Sequence, residues 1–311
     1  MTDTLTKFMF DDATVRGEMV ELQTTWHQLL KHHHYPVPVR NLLGELTSAA
    51  ALLCANLKFD GSMIMQIYGD GAIKLLVVEC NNHLQIRSMA KLADNIIINE
   101  QTSLTDLINA GGNGRFIITL DPNDKSQGQQ PYQGIVPLEG ESISAIIQNY
   151  MKQSEQLDTK LWLASNEQVC RGMLLQRLPN TGGTSSQFNE EQADAAEQTW
   201  DRACILGNTL KPEEITSTDT ATLMNRLFWE EAIRVFEPQK VTFTCTCSRE
   251  KVSNMLVMLG KDEVTEAVTS LGKLDINCDF CGKPYSFDAV DCAELFLPPV
   301  IKVHSDTDRP H

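Results

Sequence analysis

Apolar and polar residues alternate from Val15 to Leu22, a two-residue period that predicts a strand with one buried face. From Val37 to Leu57 the period lengthens. Leu42, Leu46, Ala49, Ala50, Leu53 and Leu57 recur at helical spacing, and Pro38 suits a first turn, where its missing N–H is no loss. Alternation returns at Ser62–Tyr68 and Ala72–Cys80, which flank Gly69-Asp70-Gly71, a hairpin signal. Leu84–Met89 extends this meander. Further strands are predicted at Arg115–Leu120, Tyr132–Leu138 and Lys160–Ala164, with Gln168–Leu178 pairing to the last, and a helix at Ser142–Met151. Strands that follow one another with few helices between them predict an α+β, mixed-sheet domain over residues 1–180, not a doubly wound one.

The pattern breaks at Pro179-Asn-Thr-Gly-Gly-Thr-Ser-Ser186, a flexible hinge composition. Residues 181–240 then read as a helical linker. Its first helix, Asn189–Leu210, has Ala193, Ala196, Trp200, Ala203 and Leu210 on its apolar side and little aliphatic bulk. Helices draw most of their stability from burial of such a stripe, so this one reads either as an ordinary surface helix or as a marginal, releasable one. A second helix is expected from Asp219, with Leu223, Leu227, Phe228, Ala232, Ile233 and Phe236 on one side, ending before Pro238.

Residues 241–293 form a third region. Ser248 is placed to cap a helix that runs to Leu259 and stops at Gly260, and Glu263–Ser270 predicts a second, closed by Gly272. Residues 294–311 read as a tail, frayed after Pro299.

The chemistry lies in the cysteines. Of nine, Cys54, Cys80, Cys170 and Cys204 sit in apolar runs and read as buried small hydrophobes. The others crowd into the third region as Cys245-x-Cys247 and, thirty residues on, Cys278-x-x-Cys281, with Cys292 beyond. Two close pairs around a small insert is the spacing of a tetrahedral zinc site, so Cys245, Cys247, Cys278 and Cys281 are expected to hold one zinc ion per chain. Cys292 would be redundant and reads as a buried thiol near Leu295 and Phe296. No His lies between Cys245 and Cys281, which predicts a closed structural site rather than a catalytic one. About fifty residues are too few for a self-sufficient core, so loss of the metal is expected to unfold the region. Thiols one residue apart can close only a strained disulfide ring, and strained disulfides are the labile, regulatory kind.

Composition narrows the alternatives. The 311-residue chain is 42% apolar and carries a net charge of −15, which argues against nucleic acid or anionic membranes as partners. Residues 241–293 hold five Lys/Arg and eight Asp/Glu, a net of −3, so a nucleic-acid-binding zinc ribbon is disfavoured. No βαβ unit surrounds Cys278, as a thioredoxin-like motif would need. The N-terminus lacks a basic, then apolar, leader, and no stretch reaches about 18 uncharged apolar residues. A cytoplasmic protein with reduced thiols is expected. His32-His33-His34 reads as an exposed helix end and Gly111-Gly-Asn-Gly114 as a turn between strands. Nothing asks for an enzyme. A protein-binding module with a purely structural zinc site is the competing reading.

Phe236-Glu-Pro-Gln-Lys-Val-Thr-Phe-Thr-Cys245-Thr-Cys247-Ser-Arg-Glu-Lys, followed by Cys278-Asp-Phe-Cys281-Gly-Lys-Pro-Tyr285-Ser-Phe-Asp, resembles the 33 kDa redox-regulated heat-shock chaperonin family. The resemblance extends to the layout of body, helical linker and zinc domain. It implies a holdase that uses no ATP and is inactive when reduced and zinc-bound. Oxidation with unfolding stress would close Cys245–Cys247 and Cys278–Cys281, release zinc, and unfold the zinc domain and linker. The chain would then form a homodimer and capture unfolding client proteins.

Overall fold

A computed structural model describes residues 3–58, 60–124, 130–179 and 190–297. The chain opens with β1 (Thr4–Phe10), β2 (Val15–Leu22), α1 (Thr24–Leu30), α2 (Val37–Cys54), β3 (Gly61–Tyr68), β4 (Ile73–Asn81), β5 (Gln85–Leu92) and α3 (Leu104–Ile108). It continues with β6 (Arg115–Pro122), β7 (Tyr132–Val136), α4 (Ile143–Gln153), β8 (Thr159–Ser165) and β9 (Cys170–Arg177). Then come α5 (Glu190–Gly207), α6 (Pro212–Ser217), α7 (Thr220–Phe228), β10 (Ile233–Val235), β11 (Gln239–Lys240) and β12 (Thr242–Phe243). The last elements are α8 (Arg249–Leu259), α9 (Lys261–Leu271), β13 (Leu274–Asn277), β14 (Pro284–Phe287) and α10 (Ala289–Glu294). The described residues fall into two compact units, Met1–Cys245 and Thr246–His311.

The first unit is α+β, as expected, but built on two sheets. One runs β10-β1-β2-β9-β8, with β11 also on β1, and the other β12-β5-β4-β3-β6-β7. All pairings are antiparallel except β12 with β5. The main core joins Leu22, Leu161 and Leu174 of the first sheet to Met65, Leu76 and Ile86 of the second through Leu43, Leu46, Ala50 and Leu52 of α2. Apolar residues all round a helix are what burial between layers requires. A Cβ at Gly44 would come within 2.6 Å of the Ser165 Cβ, so a glycine is what lets α2 close on the β8–β9 end of the first sheet.

The other face of the first sheet carries a separate cluster. Phe8, Phe10, Val15, Met19, Met173 and Leu175 are covered by Ala203, Leu223, Met224, Leu227 and Phe228 of α5 and α7. Gly17 lies directly across from Phe8, and only a missing side chain lets that ring lie over β2. Arg171 on β9 fastens α6, donating from Nη1 to the carbonyls of Ile215, Thr216 and Thr218 at 3.2, 2.9 and 2.8 Å. Its Nη2 pairs with Glu21 at 2.7 Å.

Three expectations are corrected. The second linker helix stops at Phe228, and Ile233–Val235 is a strand paired with Phe8–Phe10. Ile233 supplies apolar bulk in either conformation; the free edge of β1 makes the strand the better-bonded choice. Gly111–Gly114 joins a helix, α3, to a strand. Cys204 is only half-buried, whereas Cys54, Cys80 and Cys170 are buried as expected. Residues 180–186 of the hinge and the tail beyond Leu297 lie outside the described residues.

In the second unit, Ser248 caps α8 by accepting from the Lys251 N–H, and Gly260 (φ 102°) and Gly272 (φ 77°) end α8 and α9 in backbone conformations that suit glycine. Leu256, Val264, Val268, Leu274, Tyr285, Phe287 and Cys292 form its buried cluster. Arg249 ties the unit together, stacking 4.1 Å over the Phe287 ring, donating to the Ser286 carbonyl at 2.7 Å and pairing with Asp291 at 2.8 Å.

Candidate metal centre

Cys245 follows directly from β12. That strand is held in parallel register against β5 by Thr242↔Gln85 and Phe243↔Ile86, and the Thr244 N–H reaches the Ile86 carbonyl at 3.1 Å. Arg87, next along β5, pairs with Glu79 at 2.5 Å. Burial disfavours its charge, but Glu79 and then Cys245 more than offset this, so the guanidinium is held more firmly protonated than usual. Cys247 sits one residue before the α8 cap.

Cys278 and Cys281 come from the β13–β14 turn. The Cys278 N–H donates to the Lys283 carbonyl at 3.0 Å and the Gly282 N–H to the Cys278 carbonyl at 2.8 Å. Gly282 has φ 68°, a left-handed value that glycine adopts without strain. Both thiols of this pair therefore come from one tight turn.

The four Sγ atoms of Cys245, Cys247, Cys278 and Cys281 all lie within 4.8 Å of one another, and every one of these residues is half-buried. Cys247 and Cys281 are 3.5 Å apart. A tetrahedron with metal–sulfur bonds of about 2.3 Å has edges of about 3.8 Å, so the set fits a four-thiolate metal site with little adjustment. Among the described residues it is the one group of three or more candidate ligands that converges in this way.

Tyr285, unnoticed in the sequence as part of the site, donates its hydroxyl to Cys247 Sγ at 3.1 Å. That hydrogen bond, then burial and the charge of the neighbouring thiolates, pushes the phenol up to about 12. Hydrogen bonds of this sort orient a ligand and stabilise its charge. The signal available was a tyrosine four residues after Cys281, at the alternate position of a strand whose other inward residue is Phe287.

The remaining cysteines differ in kind. Cys292 is 4% exposed and belongs to the cluster that Leu295 and Phe296 pack against, as expected. Burial pushes the Cys170 thiol up to about 12 and the Cys204 thiol to about 11. Cys80 is raised as well, by its hydrogen bond with Cys54 and then by burial. These thiols stay protonated at neutral pH, and protonated thiols react poorly with oxidants.

A second feature escaped the sequence reading. A groove of about 970 Å³ runs along β1 and α7, and its apolar lining includes Met224, Phe228, Trp229, Ile233, Val235 and Phe236. Trp229 is 72% exposed. Phe228, Ile233 and Phe236 were read on one side of a helix; the turn at Trp229 and strand β10 instead gather them with Met224, Trp229 and Val235. Among the described residues, no helix is long and apolar enough to cross a membrane.

Two sheets around a buried helix, a helical cover on one outer face, a second small unit and a cluster of four thiols define a two-unit thiol-cluster protein. The Hsp33 protein family matches over residues 3–288. A 33 kDa chaperonin of Methylobacillus flagellatus is 43% identical over 98% of both chains, and one of Chromobacterium violaceum is 45% identical over 94% of both. The crystal structure of the 33 kDa chaperonin of Thermotoga maritima shares the fold, with a TM-score of 0.76 at 20% identity, over 95% of this chain and 98% of that one. The chain belongs to the Hsp33 family.

Proposed function

We propose that this protein is a redox-regulated, ATP-independent holdase of the cytoplasm, with no catalytic activity of its own. The observation that carries the reading is the convergence of four thiols on a unit whose buried cluster holds only seven side chains. Cys245, Cys247, Cys278 and Cys281 would hold one zinc ion as thiolates. Bound zinc supplies a four-way cross-link, worth roughly 10–16 kcal/mol of apparent binding free energy in small peptide sites.

Oxidation by a peroxide converts two thiolates and two protons into a disulfide, with two waters formed from the oxidant. Closure of Cys245–Cys247 and of Cys278–Cys281 removes all four ligands. All four sulfurs are mutually close, and Cys247 lies 3.5 Å from Cys281, so the pairing follows the family resemblance and not proximity. Without its cross-link the C-terminal unit unfolds. Loosening of residues 190–229 then uncovers Phe8, Phe10, Met19 and Met173 on the first sheet. Exposed apolar area of this kind drives dimerisation and the capture of unfolding proteins.

The test is titration of thiols and zinc during treatment with peroxide and mild heat, with light scattering by a thermally unfolding client. About one zinc per chain should be released as four thiols disappear, and the oxidised protein should suppress scattering. Oxidised protein that leaves scattering unchanged overturns the proposal. Zinc that survives oxidation supports the competing reading, a binding module with a structural metal.

A further inference from the structure

The connection between α1 and α2 meets the β8–β9 turn around a pocket of about 590 Å³, remote in sequence from every cysteine of the metal centre. His27, Lys31, His33, His34 and Arg40 line it, with Glu167 as the single carboxylate. In a chain of net charge −15 this is a local reversal of sign. Balancing the C-terminal end of α1 accounts for one or two such cations. It does not account for Arg40, which comes from α2, or for the histidines of the connection.

The arrangement is partly pre-set. His33 stacks on Tyr35, rings 5.0 Å apart and 10° from parallel. Tyr35 is itself anchored, its hydroxyl oxygen accepting from the Ala90 N–H at 3.0 Å. Arg40 donates from Nε and Nη2 to Asn41 Oδ1 at 3.2 and 3.1 Å, which fixes the guanidinium plane and leaves Nη1 for a ligand. Among the described residues, neither Lys31 nor Arg40 forms an ion pair with a carboxylate. The first turn of α2, which faces this connection, carries no acidic residue.

Three histidines invite a metal. No three of His27, His33, His34 and Glu167 come within 4.8 Å of one another, however, so they do not close on one point. Cations spread around a cavity suit an extended, multiply charged oxyanion, for which a planar guanidinium and an ammonium are the usual partners. The overall negative charge disfavours a long polyanion.

We propose that this pocket binds a diphosphate-type anion, free or carried on a small molecule, through Lys31, Arg40 and the surrounding histidines. Lys31 and Arg40 are the cationic partners of the anion, and the imidazole rings add hydrogen-bonding groups around it. The groups that face the site are His27 and Lys31 from the end of α1, His33 and His34 from the connection, Arg40 from α2 and Glu167 from the β8–β9 turn.

The experiment is calorimetric titration of the reduced full-length protein with inorganic pyrophosphate at neutral pH, zinc content being checked before and after. Saturable one-to-one binding is expected. Lys31→Ala and Arg40→Ala should each weaken it about 10-fold, the scale of one charge-assisted contact. A nucleoside diphosphate that matches pyrophosphate places the anion on a carrier; a much weaker one identifies the free anion. Lys31 is exposed, so its variant serves even if Arg40→Ala proves unstable. Absence of saturable binding, affinity unchanged in Lys31→Ala, or uptake of Zn²⁺ or Ni²⁺ by the histidines with pyrophosphate inert would each overturn the proposal.

Discussion

Phe228→Ala should loosen the helical cover without any oxidant. The ring is 2% exposed and closes α7 onto the first sheet, its centroid 5.3 Å from Phe8 and 5.5 Å, nearly edge-on, from Phe10. Truncating a buried phenylalanine costs about 3–5 kcal/mol, and the two aromatic contacts put this site in the upper half of that range. The segment from α5 to α7 has few other large anchors: among the described residues, Ile215, Leu223, Met224 and Leu227 are its remaining buried apolar side chains larger than alanine. A loss of about 4 kcal/mol, if felt locally, raises the open population about 1000-fold. Hydrogen exchange of residues 190–229 in the reduced, metal-loaded protein reads this directly, and partial suppression of client aggregation should accompany it. Leu52→Ala, in the main core between the sheets, is the control: similar in cost, it should lower global stability without singling out the segment. If Phe228→Ala lowers the melting temperature while exchange in 190–229 still tracks global unfolding, the cover is not a separately releasable unit, and the reasoning fails.

Three further outcomes are expected. Tyr285→Phe removes the hydroxyl that donates to Cys247 Sγ and should weaken metal binding about 10-fold in a chelator competition, with the fold of the unit retained. Glu45→Gln should stabilise the protein at pH 8 but not at pH 4. Burial lifts the Glu45 carboxyl from 4.5 to about 7, so the native state holds a proton that the unfolded state releases. The resulting penalty is absent below pH 4.5, grows as pH rises to 7, and reaches about 3 kcal/mol above it, which urea melts at the two pH values will show. Arg171→Met should cost about 2–3 kcal/mol and free α6, because three carbonyls and Glu21 lose their common donor; exchange at Ile215–Thr218 measures it.

The cysteine spacing, the two capped helices between the pairs and the alternation of the long strands were all legible from the residues in order. Each depends on neighbours within a few positions: a period of two, a capping serine, a glycine where the chain must turn. The 42% apolar content and the −15 charge likewise set the class without reference to shape. What the order of residues left open was decided by partners far along the chain. Thr4–Phe10 became a strand because β2 on one side and β10 and β11 on the other complete its hydrogen bonds. Ile233–Val235 left the helical pattern for the same reason, and in doing so built the groove beside Trp229. The roles of Tyr285 beside Cys247, and of Arg87 beside Cys245, follow from strand registers that bring them to the sulfurs. Local periodicity specifies which face of an element is apolar; which other element will cover that face, and which polar groups are thereby brought together, is fixed only when edges and faces compete for one another in the folded chain.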